Sequence, residues 1–335
     1  MYRRRPSVRV RLPFLLGLLL VAATATGCAG EAPSTLSPSG PKSDVAASSW
    51  WILFGVAAFV CVVVIALTVL AAIVRRRART VHDNDAKGFV LTFGVVIPAL
   101  VFGGTFVLSV MGLQRTSHPQ TDPDTTIQVI GHQWWWEVRY GDGTVTANEI
   151  HVPVGQPVEV TLSSADVIHS FWVPELMPKM DMIPGRVNHT WFTADKAGVY
   201  HGQCAEYCGL QHAHMGFDVV AEPKSDFDSW LADQGSDAAT PTSSLASRGM
   251  DVFTSTTCAT CHTIRGTSAD GDVGPDLTHV GSRARLAAGA IPNDRGHLAG
   301  WIGNSQTVKP GNRMPPQHLS PDDLQAVVTY LEGLT

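Results

Sequence analysis

Two long apolar segments constrain this chain more than any other feature. Residues 50–74 and 89–113 contain no charged side chain, and each exceeds the about 20 apolar residues that a helix needs to cross a bilayer. Trp50 and Trp51 suit the membrane interface, and the arginines at 75–77 and 79 mark the cytoplasmic side. A pair of core helices in a soluble protein is the alternative, and the flanking arginines argue against it. The sequence therefore predicts a transmembrane hairpin.

The first 28 residues have the layout of a secretory signal. Five arginines within residues 1–11 precede a short apolar stretch. The sequence Ala-Thr-Gly-Cys that ends at Cys28 resembles a lipoprotein cleavage site, and both simple cleavage and acylation of Cys28 stay open. Residues 29–49, rich in Ser, Pro and Ala, are expected to form a flexible linker, and residues 75–88 a cytoplasmic loop. An exported chain with this hairpin belongs in a bacterial cell membrane, crossing it twice, with its large C-terminal region on the outer face.

Residues 122–222 change to short runs of β-branched and aromatic side chains. Strands are expected at residues 126–140, 149–152, 158–163, 189–193, 198–202 and 216–221. Many short strands separated by turns predict a β-sandwich. Residues 223–243, with Pro, Ser, Asp and Ala, are expected to be a linker that begins with a short helix.

Metal-binding side chains are concentrated between residues 204 and 215. Together with one upstream histidine they are His169, Cys204, Cys208, His212 and Met215. Two thiolates, two imidazoles and a thioether are a soft ligand set, which selects copper over hard cations. A disulfide and a zinc site are the alternatives, although structural zinc sites seldom use methionine. A copper site in the loops of the β-sandwich indicates a cupredoxin-like Greek key.

Residues 244–335 contain a second redox motif. Cys258-Ala259-Thr260-Cys261-His262 is an attachment sequence for c-type haem, in which the two thiols bind the haem vinyl groups and the histidine binds the iron. A redox dithiol or half of a zinc site is the alternative. Met314 is the expected opposite ligand, and His/Met ligation raises the haem potential. Residues 274–277, Gly-Pro-Asp-Leu, resemble the loop that packs the iron-binding histidine in small class I cytochromes c. With helices expected at residues 245–254 and 321–334, the latter capped by Ser320, this region is predicted to be an all-α class I cytochrome c domain.

After the signal, the chain resembles subunit II of haem–copper oxygen reductases with a fused cytochrome c, as in caa3-type oxidases. Residues 204–215 match the copper A loop of that family, C-x-E-x-C-x-x-x-H-x-x-M. The resemblance implies that a binuclear copper centre is held by His169, Cys204, Cys208, His212, Met215 and the main-chain oxygen of Glu206. It also implies that the Glu206 side chain points to a magnesium ion at the boundary with subunit I.

The same resemblance assigns roles beyond the ligands. Trp134, in the sequence Gly-His-Gln-Trp-Trp-Trp-Glu, corresponds to the family's electron-input tryptophan, although the haem is an alternative input point in a fused chain. Asp181 and Arg186 correspond to the family's D-x-x-P-G-R turn and are expected to form an ion pair. One departure is Leu91, near the start of the second span, where the family often has a glutamate.

The expected function is an electron relay without bond chemistry of its own. An external cytochrome would reduce the haem, and electrons would pass through copper A to subunit I for oxygen reduction, in a complex that includes subunit III. Residues 81–335 carry 14 basic and 27 acidic side chains, which excludes nucleic acid and favours a basic cytochrome as donor. A nitric oxide reductase subunit is the nearest alternative. A free membrane-anchored electron carrier or copper chaperone would not need two spans.

Overall fold

The computed structural model describes residues 33–74 and 83–335. The expected signal sequence, with Cys28, and the arginines at 75–79 lie outside the described residues. Within these ranges the chain forms, in order, two long apolar helical segments, a β-sandwich and a small helical domain.

Helix α1 spans Pro41–Val74, α2 spans Asp83–Leu91, and a π-helical turn at Thr92–Val96 leads into α3 at Ile97–Ser117. The segments Pro41–Ile73 and Lys87–Ser117 are long and apolar enough to cross a membrane. Pro98 falls in the first turn of α3, where a missing amide hydrogen costs little.

Helix α1 begins before the expected start at residue 50, which corrects the prediction of a flexible linker up to residue 49. Its first turn is bonded to the β-sandwich: Ser43 Oγ donates to the main-chain oxygen of Glu175 at 2.6 Å, and Lys42 Nζ donates to Thr190 Oγ1 at 2.9 Å. These acceptors lie far along the chain, so the composition of residues 33–49 did not reveal them. The apolar helices are therefore joined to the β-sandwich by an ordered segment.

Ten strands build the β-sandwich. They are β1 Thr125–His132, β2 Trp135–Tyr140, β3 Val145–Ala147, β4 Glu149–Pro153, β5 Val158–Ser164, β6 His169–Val173, β7 Met177–Met182, β8 Asn188–Phe192, β9 Gly198–Cys204 and β10 Gly216–Glu222. One sheet has the order β3-β2-β1-β5-β8 and the other β4-β10-β9-β6-β7. The β1/β5 and β4/β10 pairs are parallel, and the remaining pairs are antiparallel.

The predicted sandwich is confirmed, but three of its strands were not predicted. The expected strand 126–140 is two strands, β1 and β2, which pair with each other. Strands β3, β6 and β7 were missed because they are short or mix polar and apolar side chains. The core between the sheets contains Trp136, Phe171 and Phe217, with the Phe171 and Phe217 rings 4.6 Å apart and the Trp136 and Phe217 rings 5.1 Å apart.

The C-terminal part contains four helices and two short hairpins. The elements are α4 Lys224–Gln234, α5 Ser244–Ser255, β11 Thr263–Ile264, β12 Ala269–Asp270, β13 Arg285–Leu286, β14 Ile291–Pro292, α6 Arg295–Gly303 and α7 Pro321–Glu332. Ser243 Oγ caps α5, and Ser320 Oγ caps α7 as predicted. Helices α5 and α7 cross closely, with the Phe253 and Tyr330 rings 6.3 Å apart.

Gly249 lies where α5 crosses α7. A Cβ atom there would lie 2.1 Å from the main-chain oxygen of Ala326, so we expect Gly249→Val to lower the free energy of unfolding of this domain by about 1–3 kcal/mol, the usual cost of overpacking. The measurement is denaturant unfolding of the full chain. Gly300→Ala is the matched control, because nothing lies within 4 Å of its added Cβ. An equal loss of unfolding free energy in both variants would show that the close contact of α5 with α7 at Gly249 does not limit side-chain size there.

Candidate functional site

Side chains with sulfur and imidazole groups converge at one end of the β-sandwich. The Cys204 and Cys208 Sγ atoms are 3.8 Å apart. His169 Nδ1 lies 3.9 Å from Cys204 Sγ. His212 Nδ1 and Met215 Sδ lie 3.7 and 3.8 Å from Cys208 Sγ. The structure therefore brings together all five side chains that the sequence analysis selected.

The two cysteines are free thiols, and their sulfur separation is far beyond a disulfide bond length. The main-chain oxygen of Glu206 lies 3.2 Å from Cys204 Sγ and adds a sixth donor. A cluster of two sulfur atoms flanked by two ring nitrogens, a thioether and a carbonyl fits a soft metal ion better than a hard one.

Strand pairing positions the loop that carries these ligands. Strand β9 ends at Cys204 and β10 begins at Gly216, and the Cys204 amide donates to the Met215 main-chain oxygen at 2.9 Å. His169 opens β6, which pairs with β9 through Phe171 and Cys204. The distant histidine is therefore placed beside the loop by the sheet itself.

A second layer of hydrogen bonds orients the ligands. Asp166 Oδ1 lies 2.9 Å from His169 Nε2, which leaves Nδ1 of that ring facing Cys204. Trp134 Nε1 and Gln133 Nε2 both donate to the Cys208 main-chain oxygen, at 3.0 and 2.8 Å. Such outer contacts fix the tautomer and direction of metal-binding groups.

The electrostatics of the cluster favour a cation. The hydrogen bond between the two thiols lowers the pKa of Cys204 and raises the pKa of Cys208, so the metal-free pair retains a proton. Burial opposes ionisation of Asp166, but hydrogen bonds from His169 and two main-chain amides outweigh it and lower its pKa. A metal ion would displace the remaining thiol proton, because thiolate is the binding form.

The three consecutive tryptophans have different surroundings. Trp136 is fully buried in the core, and Trp135 stacks on His132 with ring centroids 4.3 Å apart. Trp134 is 8% exposed and bonded to the copper loop. Trp134 is therefore the one of the three that hydrogen-bonds to the ligand Cys208.

Two neighbouring carboxylates share one lysine as their partner. Asp181 is paired with Lys179, at 3.3 Å, and among the described residues no ion pair joins it to Arg186, so that prediction is wrong. Lys179 and Asp181 lie two residues apart in β7 and therefore share one strand face. The Glu206 carboxylate, 44% exposed, also pairs with Lys179, at 3.0 Å.

A cavity of about 230 Å³ contains the second motif. Cys258, Cys261, His262 and Met314 all line it. His262 Nδ1 donates to the Pro275 main-chain oxygen at 2.8 Å, which leaves Nε2 without a proton. Burial lowers the pKa of His262, so the ring stays neutral, as an iron ligand must be.

The loop predicted to pack the histidine does so closely. A Cβ atom at Gly274 would lie 2.6 Å from His262 Cε1, so only glycine allows the chain to run against the ring. Two hydrogen bonds fix the main chain of Met314. Its amide donates to Asn312 Oδ1 at 2.8 Å, and its main-chain oxygen accepts from Ser305 Oγ at 2.6 Å.

The charges on the cavity wall suit an anionic ligand. Among the residues that the structure describes, four cationic side chains and no carboxylate line it; the cations are Arg283, Arg285, Lys309 and Arg313. Arg283 Nε is buried without a hydrogen-bond partner among the described residues. A haem, which brings two carboxylates, an apolar ring and an iron that binds imidazole and thioether, fits these residues.

The β-sandwich, which carries the loop at residues 204–215 and is called the copper-loop domain below, forms part of the same cavity wall. Gln133, Trp134 and Trp135 line it beside the haem motif. The segment before Met314 is bonded to this domain: Arg313 donates to Gln133 Oε1 at 2.7 Å, and Gln211 Nε2 donates to the Pro310 main-chain oxygen at 2.6 Å. The two candidate redox sites therefore share a wall.

Sequence reasoning missed three residues of these sites: Asp166, Arg283 and Lys309. Asp166 lies three residues before His169, which is a local signal that could have identified it as the partner of that ring. Arg283 and Lys309 belong to no recognisable sequence motif. Their place in the site is visible only from the cavity that the folded chain forms.

Comparisons with known proteins identify the families that the two folded regions resemble. Residues 144–222 match the family described as cytochrome C oxidase subunit II, periplasmic domain, and residues 246–335 match cytochrome c. Cytochrome c oxidase subunit 2 of Alkalihalophilus pseudofirmus is 36% identical over 324 residues, covering 92% of this chain and 93% of that protein. The protein of the same name from Bacillus subtilis is 29% identical over 346 residues, covering 96% and 97%. The periplasmic domain of subunit II of cytochrome oxidase from Bradyrhizobium japonicum has 36% identity and a TM-score of 0.33, over 33% of this chain and 94% of that structure.

The Asp166–His169 contact generates a prediction. We expect Asp166→Asn to lower the affinity of the loop for copper about 10- to 100-fold, the usual cost of losing such an orienting contact. Copper content after dialysis against a graded chelator is the measurement. Asp228→Asn, an exposed carboxylate in α4, is the matched control. Equal copper retention in both variants would remove Asp166 from the site.

Proposed function

This chain belongs to the cytochrome c oxidase subunit II family, and from that membership we propose that it is the electron-input subunit of a bacterial haem–copper oxidase. When bound, haem c and copper A supply one-electron chemistry, by which electrons from an external cytochrome c reach subunit I for oxygen reduction. The observation that supports this proposal most strongly is the shared wall of the two sites. Both lie in one chain, with Trp134 at the boundary.

We assign the copper ligands as His169, Cys204, Cys208, His212, Met215 and the main-chain oxygen of Glu206. The paired strands β6, β9 and β10 hold the ligands in one arrangement, which keeps reorganisation small when the charge changes. Both cysteines are almost fully buried, so the site excludes water.

We assign Cys258 and Cys261 as the covalent attachment points of the haem and His262 and Met314 as its axial ligands. The bond from His262 Nδ1 to Pro275 holds the ring in one tautomer, and the bonds from Asn312 and Ser305 hold the Met314 backbone. His/Met ligation gives the high potential that a carrier needs.

Trp134 cannot serve as a contact surface for an external donor in this chain. Its side chain is 8% exposed, and its main-chain oxygen accepts from Lys309 Nζ at 2.9 Å. We therefore propose that electrons enter through the haem and that Trp134 contributes between the haem and the copper loop, inside the protein.

The proposed partners follow from the family and from charge. The apolar surfaces of α1 and α3 suit subunit I, subunit III and lipid, with both folded domains on the outer face of the bacterial membrane. The acidic excess of residues 81–335 suits a basic cytochrome donor.

A magnesium ion is a further proposal, at the contact with subunit I. Glu206 and Asp181 are two carboxylates that share the Lys179 ammonium. Carboxylate oxygen is the right donor for magnesium, but the remaining ligands must come from the partner.

Nitric oxide reduction is the nearest alternative, since this chain would perform the same relay for a different catalytic subunit. The second alternative is a free membrane-anchored electron carrier. It is disfavoured because the relatives that match nearly the whole chain are named as oxidase subunits.

Cysteine substitutions test the relay. In the complex purified with its partners, we expect Cys204→Ser or Cys208→Ser to remove copper A absorption, keep covalent haem that the donor still reduces, and abolish oxygen consumption. Cys61→Ser, a thiol on α1, is the control and should behave like the parent chain. Retained copper absorption would overturn the ligand assignment, and consumption of nitric oxide but not oxygen by the parent complex would favour the alternative.

Met314→Ala tests the haem ligand. We expect it to remove the absorption band of the thioether–iron bond and to lower the haem potential, because the thioether favours reduced iron. The matched control is Met250→Ala, since Met250 packs in the core of the same domain and does not line the cavity. Unchanged spectra in both variants would reject Met314 as the ligand.

A further inference from the structure

Lys309 lies where the haem domain contacts the copper-loop domain. Its side chain is 2% exposed. The Nζ atom donates to the main-chain oxygen of Trp134 at 2.9 Å and to that of Ala287 at 3.1 Å. One ammonium group therefore bonds the copper-loop domain and the haem domain at once, beside the haem cavity that it lines.

This buried charge has no carboxylate partner. Within residues 33–74 and 83–335 no Asp or Glu lies within ion-pair distance of Lys309 Nζ, and both acceptors are neutral carbonyls. Burial without a counter-charge lowers its pKa to about 7. Keeping such a group buried is costly unless an anion accompanies it.

Arg283 is a second buried cation of the cavity wall that has no carboxylate within ion-pair distance among the described residues. Arg283 donates to the Asp276 main-chain oxygen at 2.6 Å, and its Nε has no partner. By contrast, the remaining two cations of the wall have carboxylates nearby: Arg285 lies 3.8 Å from Asp218 and Arg313 lies 3.8 Å from Asp166. Two buried cations, neither with a carboxylate within ion-pair distance in the described part of the chain, thus line a cavity whose expected ligand has two carboxylates.

We propose that Lys309 is a positioning residue for electron transfer between the domains: its ammonium holds a haem carboxylate while its bond to Trp134 ties that end of the haem to the copper-loop domain. This inference rests on the proposed function, since it needs haem in the cavity and copper in the loop. Arg283 takes the second carboxylate. The carboxylate end of the haem therefore faces the wall that contains Trp134.

Two effects of Lys309 can be separated by experiment. Removing a positive charge beside the haem favours the oxidised form, so Lys309→Met should lower the haem midpoint potential. A lower haem potential increases the driving force toward copper and would by itself speed the transfer. Loss of the tie to Trp134 should instead slow it, about tenfold to a hundredfold, because small displacements have large rate effects.

The experiment uses the full chain loaded with haem and copper. Haem potential is measured by spectroelectrochemistry, and haem-to-copper transfer by flash photolysis, in Lys309→Met, in Lys309→Arg and in Lys196→Met, an exposed lysine as control. We expect Lys309→Met to lower both potential and rate, Lys309→Arg to restore most of both, and Lys196→Met to match the parent chain. An unchanged potential in Lys309→Met would place the ammonium away from the haem, and a faster or unchanged rate would reject its positioning role.

A second measurement covers the case in which Lys309→Met does not fold. Resonance Raman bands of the haem carboxylates respond to the donor bound to them, so the bands of Lys309→Arg should differ from those of the parent chain. Identical bands would overturn the inference. If the parent chain itself shows no transfer from haem to copper, the proposed function fails. That outcome differs from the results that would reject the inference about Lys309.

Discussion

Pairing of the strands that flank the copper loop is the constraint on which the rest of the site depends. Strands β9 and β10 are antiparallel neighbours, so the two ends of the loop are held together, and the Cys204 amide bonds the Met215 oxygen across its base. Strand β6 lies on the other side of β9 and brings His169 to the same place. A ligand set spread along the chain becomes one cluster because the sheet orders these three strands side by side.

Burial of Trp134 connects that cluster to the haem domain. The indole bonds the Cys208 oxygen, its main-chain oxygen accepts from Lys309, and its side chain lines the haem cavity. One residue thus touches the copper loop, the haem domain and the space between.

Local motifs account for much of what could be predicted. The spans, the sandwich, the capping serine of α7 and the ligand clusters are encoded by short-range patterns: apolar length, alternation and the spacing of Cys, His and Met. The start of α1, the partner of Asp181 and the splitting of the strand at 126–140 were not predicted correctly. The start of α1 depends on a partner far along the chain, since Ser43 bonds Glu175, and Lys179 likewise bonds the distant Glu206. The Lys179–Asp181 pair and the turn that splits the strand are local, but the spacing of residue types did not single them out.

The sequence by itself determined the chemistry of this protein, because soft sulfur ligands, a haem attachment motif and uncharged apolar segments have few other uses. Only the tertiary structure decided where the two sites lie relative to each other. Lys309 and Trp134 meet between the two domains through a hydrogen bond of 2.9 Å, and both side chains are buried there. Burial and the lack of an ion-pair partner among the described residues are what single out Lys309. Those are properties of surroundings that form when distant segments pack together, and no spacing along the chain records them.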